Sequence, residues 1–209
     1  AVLSYQVSGG DYQTMELVNG KKVNISNAYM TGPNKITIAV SDKADETNVT
    51  TYTFNVTRPY YTTNTFRALS VYPNGTTAIT YPTYNNAKEG TLFALEEDGS
   101  FYKWSGFTTS RNNYKTYLYG KRTSTITFMG TFLNTNQFAR VLTNGENPVD
   151  LVHNWATTPL QLDEDGETVF TIEVVSEKTY VAKKAAGEDP FETPETTYTV
   201  TAETISPLG

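Results

Sequence analysis

Strict alternation of apolar and polar side chains, written twice in the same order, constrains this chain more than any other feature. Ile36-Thr37-Ile38-Ala39-Val40-Ser41 and Thr51-Tyr52-Thr53-Phe54-Asn55-Val56-Thr57 place apolar residues at every second position. Phe170-Thr171-Ile172-Glu173-Val174-Val175-Ser176 and Thr197-Tyr198-Thr199-Val200-Thr201-Ala202 do so again. Successive side chains on a strand point to opposite faces, so this pattern predicts strands with one buried face each. The buried sets are then Ile36, Ile38, Val40 with Tyr52, Phe54, Val56, and Phe170, Ile172, Val174 with Tyr198, Val200, Ala202. Sheets that meet on such faces make a sandwich. An Asn-Gly pair precedes each copy, at Asn19-Gly20 and Asn144-Gly145, and the two turns read as equivalent.

Punctuation along the chain agrees. Leu17-Val18-Asn19-Gly20-Lys21-Lys22-Val23 carries Asn-Gly between apolar residues, a strong hairpin signal because both turn positions want positive φ. Asn74-Gly75, Asp98-Gly99 and Asp165-Gly166 mark further turns. Strands are expected at Phe66–Val71, Thr91–Leu95, Phe101–Trp104, Lys115–Tyr119, Thr125–Met129 and Phe138–Leu142. Few charged residues, with Thr, Asn and Tyr in their place, suit strands and tight turns. No amphipathic helix is expected; Ala87–Glu97 comes nearest, and Gly90 and Thr91 argue against it. Ala185–Pro194 reads as an exposed acidic loop.

The fold class expected is therefore all-β, with tandem antiparallel β-sandwich domains. Arg58-Pro59-Tyr60-Tyr61-Thr62-Thr63-Asn64-Thr65 follows a terminal strand, and Pro59 cannot donate to a ladder. That places a short first repeat at residues 1–60 and a larger domain at 61–209.

Lys35–Ser41 and Thr51–Arg58 resemble the ending of the bacterial cadherin-like β-sandwich family: an x-I-x-I-x-V strand, a loop, then Y-T-x-x-V and Thr-Arg. Tyr114–Leu118, Thr125–Phe128 and Arg140–Gly145 are similar to earlier strands of the same repeat. The resemblance covers roughly residues 15–58 and 110–203. Against the family pattern, the first repeat lacks opening strands, and the second carries about 45 additional residues, Phe66 to Ser110. The resemblance implies a noncatalytic module of an exported bacterial protein, of the kind found beside glycan-active or adhesive domains. The acidic calcium-ligand motifs of animal cadherins are not present.

The residue inventory narrows the chemistry. With no cysteine, disulfides, thiolate metal sites and cysteine nucleophiles are ruled out. The single histidine, His153, lies in Leu151-Val152-His153-Asn154-Trp155 and reads as structural; no Gly-x-Ser-x-Gly elbow accompanies it. Two-histidine zinc sites cannot be built. Charge is uneven: residues 1–58 are neutral, 59–145 hold eight basic and four acidic side chains, and 146–209 hold three basic and thirteen acidic. The diffuse positive stretch is not a nucleic-acid patch. No apolar run reaches the roughly 18 residues of a membrane span. Ala1-Val2-Leu3-Ser4 lacks the regions of a signal peptide, so an export signal or wall anchor is expected outside this stretch. Asn-x-Ser/Thr sequons at Asn24, Asn48, Asn55 and Asn74 matter only in a eukaryotic source.

Two places invite a ligand. Sugar rings stack on exposed aromatic faces while amides and acids take their hydroxyls. Phe101-Tyr102-Lys103-Trp104 alternates, so Phe101 and Lys103 are expected on one side and Tyr102 and Trp104 on the other, with Arg111, Asn112, Asn113 and Tyr114 close by as polar partners. Trp155 is a further stacking candidate. Each tryptophan has a core-filling alternative. Asp163-Glu164-Asp165-Gly166-Glu167 is the densest acidic cluster, and Asp163 and Asp165 could hold calcium at a tight turn; a solvated hairpin explains the cluster equally well. The expectation is a monomeric, secreted or wall-attached module that holds a polysaccharide or other cell-surface polymer, with no required cofactor. The alternatives are a structural spacer and a glycan-active enzyme fragment.

Overall fold

The computed structural model describes residues 1–7, 13–16, 18–20, 22, 31–74, 83–84, 87–119, 123–164 and 166–205. The protein is all-β and divides into two compact units, Ala1–Tyr60 and Tyr61–Gly209.

In Ala1–Tyr60 the strands are β1 (Val2–Val7), β2 (Gln13–Glu16), β3 (Gly32–Ser41) and β4 (Val49–Arg58). They form one antiparallel sheet in the order β2-β1-β3-β4. Opposite residues share a face, and β3 pairs with β4 as Ile36↔Phe54 and Ile38↔Tyr52. The pattern thus produces the expected face, but it is not buried as expected: Tyr52 is 53% and Phe54 49% exposed. Two strands, β1 and β2, precede the recognisable pair.

Tyr61–Gly209 begins with β5 (Phe66–Pro73), then the short β6 (Thr83–Tyr84) and β7 (Ala87–Lys88), which pair with each other. There follow β8 (Phe93–Leu95), β9 (Phe101–Ser105), β10 (Asn113–Tyr119), β11 (Thr125–Phe132), β12 (Phe138–Thr143) and β13 (Glu146–Leu151). The last elements are β14 (Leu160–Gln161), β15 (Gly166–Val175), α1 (Glu177–Ala186) and β16 (Thr196–Ile205). A seven-stranded sheet, β13-β12-β15-β16-β10-β8-β9, faces a three-stranded one, β14-β11-β5. Among the described residues every pairing is antiparallel except β10 with β16, which is parallel. Phe66, Leu69, Val71, Ile126 and Phe128 from the small sheet meet Tyr114, Val141, Phe170, Ile172, Tyr198 and Val200 from the large one in a single core. Leu92 and Ala94 belong to that same core, so the additional segment is built into this sandwich.

The repeat extends to pairing register. Ile172↔Tyr198 and Phe170↔Val200 match Ile38↔Tyr52 and Ile36↔Phe54. Upstream, Leu3↔Val40 and Tyr5↔Ile38 match Ala139↔Val174 and Val141↔Ile172. Leu3↔Met15 matches Ala139↔Leu151. The order β2-β1-β3-β4 is therefore the order β13-β12-β15-β16. This alignment corrects the equivalence of the Asn-Gly turns. Asn144-Gly145 joins β12 to β13, with φ of 50° and 80° as a two-residue hairpin turn requires. Asn19-Gly20 instead follows β2.

The chief element missed by periodicity is α1. None of its residues is buried, so it has no apolar stripe to detect. Its ends carry the signal instead. Ser176 caps the N-terminus by accepting from the Thr179 N–H, and Gly187 closes the C-terminus at φ 76°. Ala185 and Ala186 are its last turn, not loop. The following segment is fastened as well: Asp189 Oδ2 lies 3.4 Å from Arg140, whose guanidinium stands 4.6 Å over the Phe191 ring.

Glu195 holds the start of α1. Its Oε2 accepts from the Ser176 N–H at 2.6 Å, and its Oε1 accepts from the Ser176 and Thr179 hydroxyls. Burial pushes this carboxyl upward, but the hydrogen bonds from Thr179, Ser176 and Asn64 outweigh it and hold it below its ordinary value. A lowered carboxyl contributes stability above its unfolded value that is lost as pH falls through the folded one. Glu195→Ala should cost about 1 kcal/mol, because the Ser176 N–H loses its acceptor while the carboxylate itself is solvated on its far side. Urea denaturation at pH 7 and pH 3 checks this: the difference between wild type and variant should shrink at the lower pH.

Candidate functional site: the β8–β10 edge

At one edge of the large sheet, β9 departs from simple alternation. Leu95 opposes Phe101 and Phe93 opposes Ser105, so Tyr102, Lys103 and Trp104 bulge opposite the single residue Ala94. A bulge re-aims side chains. Tyr102 packs against the core, while Trp104 stands out at 66% exposure. Tyr102 and Trp104 therefore do not make the shared platform that alternation suggests. The Tyr102 face is also covered, by the Arg111 guanidinium at 4.5 Å.

Tyr114 is corrected outright. It is 1% exposed, and its hydroxyl lies 2.7 Å from the Thr108 carbonyl and 2.8 Å from that of Arg111, donating between them. Burial pushes this phenol up to about 12. It is an internal strut that holds the 108–111 loop, and it is unavailable to a ligand.

That loop forms one wall of a groove of about 720 Å³, lined by Leu95, Glu96, Glu97, Asp98, Ser110, Arg111, Asn112 and Asn113. Arg111 bridges the groove's two sides by pairing with Glu96 at 2.8 Å. Asp98 holds the β8–β9 turn by accepting from the Ser100 hydroxyl and N–H, which keep its carboxyl below the ordinary range. Asn112 and Asn113 are exposed in the wall. The sequence pointed to Arg111, Asn112 and Asn113 but not to Glu96, Glu97 and Asp98 across from them, whose charge and turn roles resemble ordinary surface.

A row of rings continues from the groove across the outer face of the sheet. Phe101, beside Leu95 in the ladder and 54% exposed, lies 5.4 Å from Phe93, which lies 5.9 Å from Tyr117. Lys115 stands 5.5 Å from the Tyr117 ring and bonds Glu203 at 2.6 Å and Glu167 at 3.0 Å. Those bonds, Glu203 first, raise its pKa. Phe101 was legible as one side of the β9 alternation, but Phe93 and Tyr117 join it only through strand pairing.

Trp155 lies elsewhere. It is 72% exposed, in the turn after β13, where the Asn154 N–H reaches Gly130 on β11. Strands β13 and β9 are opposite edges of the sheet, about 29 Å apart at ordinary strand spacing. Trp104 and Trp155 are not one site.

A second cavity, of about 350 Å³, lies among Gln137, Phe138, Asp150, His153, Tyr180 and Phe191. Its aromatic faces are largely engaged: Phe138 stacks on Tyr180 at 3.6 Å, and Arg140 covers Phe191. His153 is structural, since its Nδ1 accepts from the Phe132 N–H. Its Nε2 lies 3.0 Å from the Asn154 amide, whose Oδ1 accepts from the Thr131 hydroxyl.

Asp163 Oδ2 accepts from the Asn144 amide at 3.1 Å. Asp165 lies outside the described residues, among which no three His, Cys, Asp or Glu side chains gather as metal ligands.

Neither a family model nor a curated protein matches the sequence. Among solved structures the chain is similar to the Bacteroides ovatus mixed-linkage glucan utilization locus SGBP-B in complex with mixed-linkage heptasaccharide. Identity is 14%, over 97% of this chain and 61% of that one, with a TM-score of 0.20. So low a score leaves the site to be argued from its own residues.

Proposed function

We propose that Tyr61–Gly209 is a noncatalytic module of an exported bacterial protein that holds a neutral glycan chain along its β8–β10 edge. The observation that carries this reading is the exposed Phe101, with Phe93 and Tyr117 in line behind it, opening directly onto a groove of carboxylates and amides. Apolar ring faces for the sugar C–H surfaces and convergent polar groups for its hydroxyls are what glycan recognition asks of a protein. Trp104, re-aimed outward by the bulge, extends the apolar surface. The resemblance of the strand endings to cadherin-like modules suits the same role. Two of the groove's three acids, Asp98 and Glu96, support a binding function over catalysis. Glycoside hydrolysis needs a carboxyl raised to act as acid, whereas Asp98 is lowered and Glu96 is engaged by Arg111.

Affinity gel electrophoresis against a panel of neutral polysaccharides tests the assignment. Retardation by at least one polymer is expected, weakened roughly tenfold or more in Phe101→Ala and Trp104→Ala, about 1.4 kcal/mol, and unchanged in Trp155→Ala. Silence across the panel would reject glycan holding. The division into two compact units would then favour a spacer that presents a distal domain.

A further inference from the structure

The in-register correspondence between the two units shows what the described residues of Ala1–Tyr60 lack. In Tyr61–Gly209, the strand equivalent to β4 is β16, and it is not an edge. Strand β10 adds to it in parallel, with Tyr114↔Val200, Thr116↔Ala202 and Leu118↔Thr204. The small sheet then covers the shared face, leaving Tyr198 1% and Val200 0% exposed. Among the described residues β4 ends its sheet. Its equivalents of those two side chains, Tyr52 and Phe54, are about half exposed. Strand β4 runs ten residues, with its one charge, Arg58, at its very end. Natural edge strands are usually short, charged, bulged or covered, because an unblunted edge templates the pairing of another strand.

We propose that β4 takes up an extended segment of another polypeptide, added in parallel as β10 adds to β16. The register sets the chemistry of that segment. Carried across the repeat, Tyr114, Thr116 and Leu118 fall beside Phe54, Val56 and Arg58. The segment therefore presents a large apolar residue beside Phe54, a small or β-branched one beside Val56, and an apolar one beside Arg58, with polar residues between. Main-chain bonds give affinity in such strand addition, and alternate side chains give specificity. This inference is independent of the glycan reading and concerns the other unit.

A fluorescein-labelled peptide with the sequence of residues 112–120, titrated into the whole chain and followed by anisotropy, is the probe. Saturable binding is expected, weakened at least tenfold in Tyr52→Lys/Phe54→Lys and unaffected in Trp104→Ala. Both replaced residues are half exposed, so the double variant should keep the wild-type circular dichroism. Backbone NMR of the isotope-labelled wild type supplies a readout that needs no variant: peptide-induced shifts should map to residues 49–58. No saturable binding, binding indifferent to the double variant, or shifts mapping to residues 196–205 would each overturn the proposal. Concentration-dependent dimerisation that the same variant abolishes would also overturn it, assigning the face to a second copy of this chain.

Discussion

Phe66→Ala should be the most damaging single substitution in Tyr61–Gly209, with a loss of about 3–5 kcal/mol in unfolding free energy. Phe66 is fully buried and stacks between Phe132, at 5.0 Å and 11°, and Tyr198, at 5.2 Å and 17°. Its N–H donates to the Tyr198 hydroxyl at 3.3 Å, so the ring also sets the position of a buried donor–acceptor pair. Truncation removes the transfer free energy of the ring and leaves a cavity between two sheets whose backbones are tied by ladders and cannot collapse into it. Both tryptophans, Trp104 and Trp155, lie in this unit, so near-UV circular dichroism at tryptophan wavelengths follows its denaturation alone. Phe54→Ala, at a 49% exposed position in the other unit, is the matched control and should cost less than about 1 kcal/mol, read by native-state hydrogen exchange of the β3 amides in that unit. Equal losses from the two would contradict the difference in burial that separates the units.

Tyr114→Phe should cost about 2 kcal/mol and weaken glycan retention together. The missing hydroxyl strips the Thr108 and Arg111 carbonyls of a shared donor and the Thr108 N–H of an acceptor. The Thr108 carbonyl keeps the Arg111 N–H, so the loss falls chiefly on the half-buried Arg111 carbonyl and Thr108 N–H, each worth about 1 kcal/mol. Ring packing is preserved, since Phe107 still stacks at 5.7 Å, so the loss is polar in origin. The functional half follows from position. Released from Tyr114, Arg111 can no longer hold its contacts with Glu96 and Tyr102, and the wall carrying Asn112 loosens. Urea denaturation reads the first effect, and affinity gels below the unfolding transition read the second. A variant destabilised as expected but with undiminished retention would detach the 108–111 loop from the site.

The candidate site was half legible for a definite reason. Composition and turns pointed to the aromatic segment, and both Trp104 and Asn112 belong to the exposed edge. Tyr114 could not be separated from them by sequence: Arg111-Asn112-Asn113-Tyr114 is a contiguous polar-looking run, yet it enters β10, whose alternation turns Tyr114 inward and Asn113 outward. The bulge that frees Trp104 from Tyr102 depends on β8 being two residues shorter across the pairing than β9, which no local pattern records. Phe93 and Tyr117, 24 residues apart in the chain, become neighbours only through the β8–β10 ladder. α1 escaped for the opposite reason, because its stability lies in caps and in Glu195 rather than in a periodic apolar face.

What the sequence determined by itself was most of the longer strands, their inward and outward faces, and the repetition of the β3–β4 pattern in β15 and β16. All three follow from side chains that alternate with period two and from turns that demand particular φ values, both of which are local. Burial is not local. Tyr52-Thr53-Phe54 and Tyr198-Thr199-Val200 carry the same pattern and take the same place beside their partner strands, yet one pair of side chains is half exposed and the other fully enclosed. The difference is made by β10 and by Phe66 on β5, which reach β16 across 132 residues of chain from the latter. Among the described residues β4 has no such cover. Only the tertiary structure could decide that, because the free energy of an apolar face is set by what lies against it.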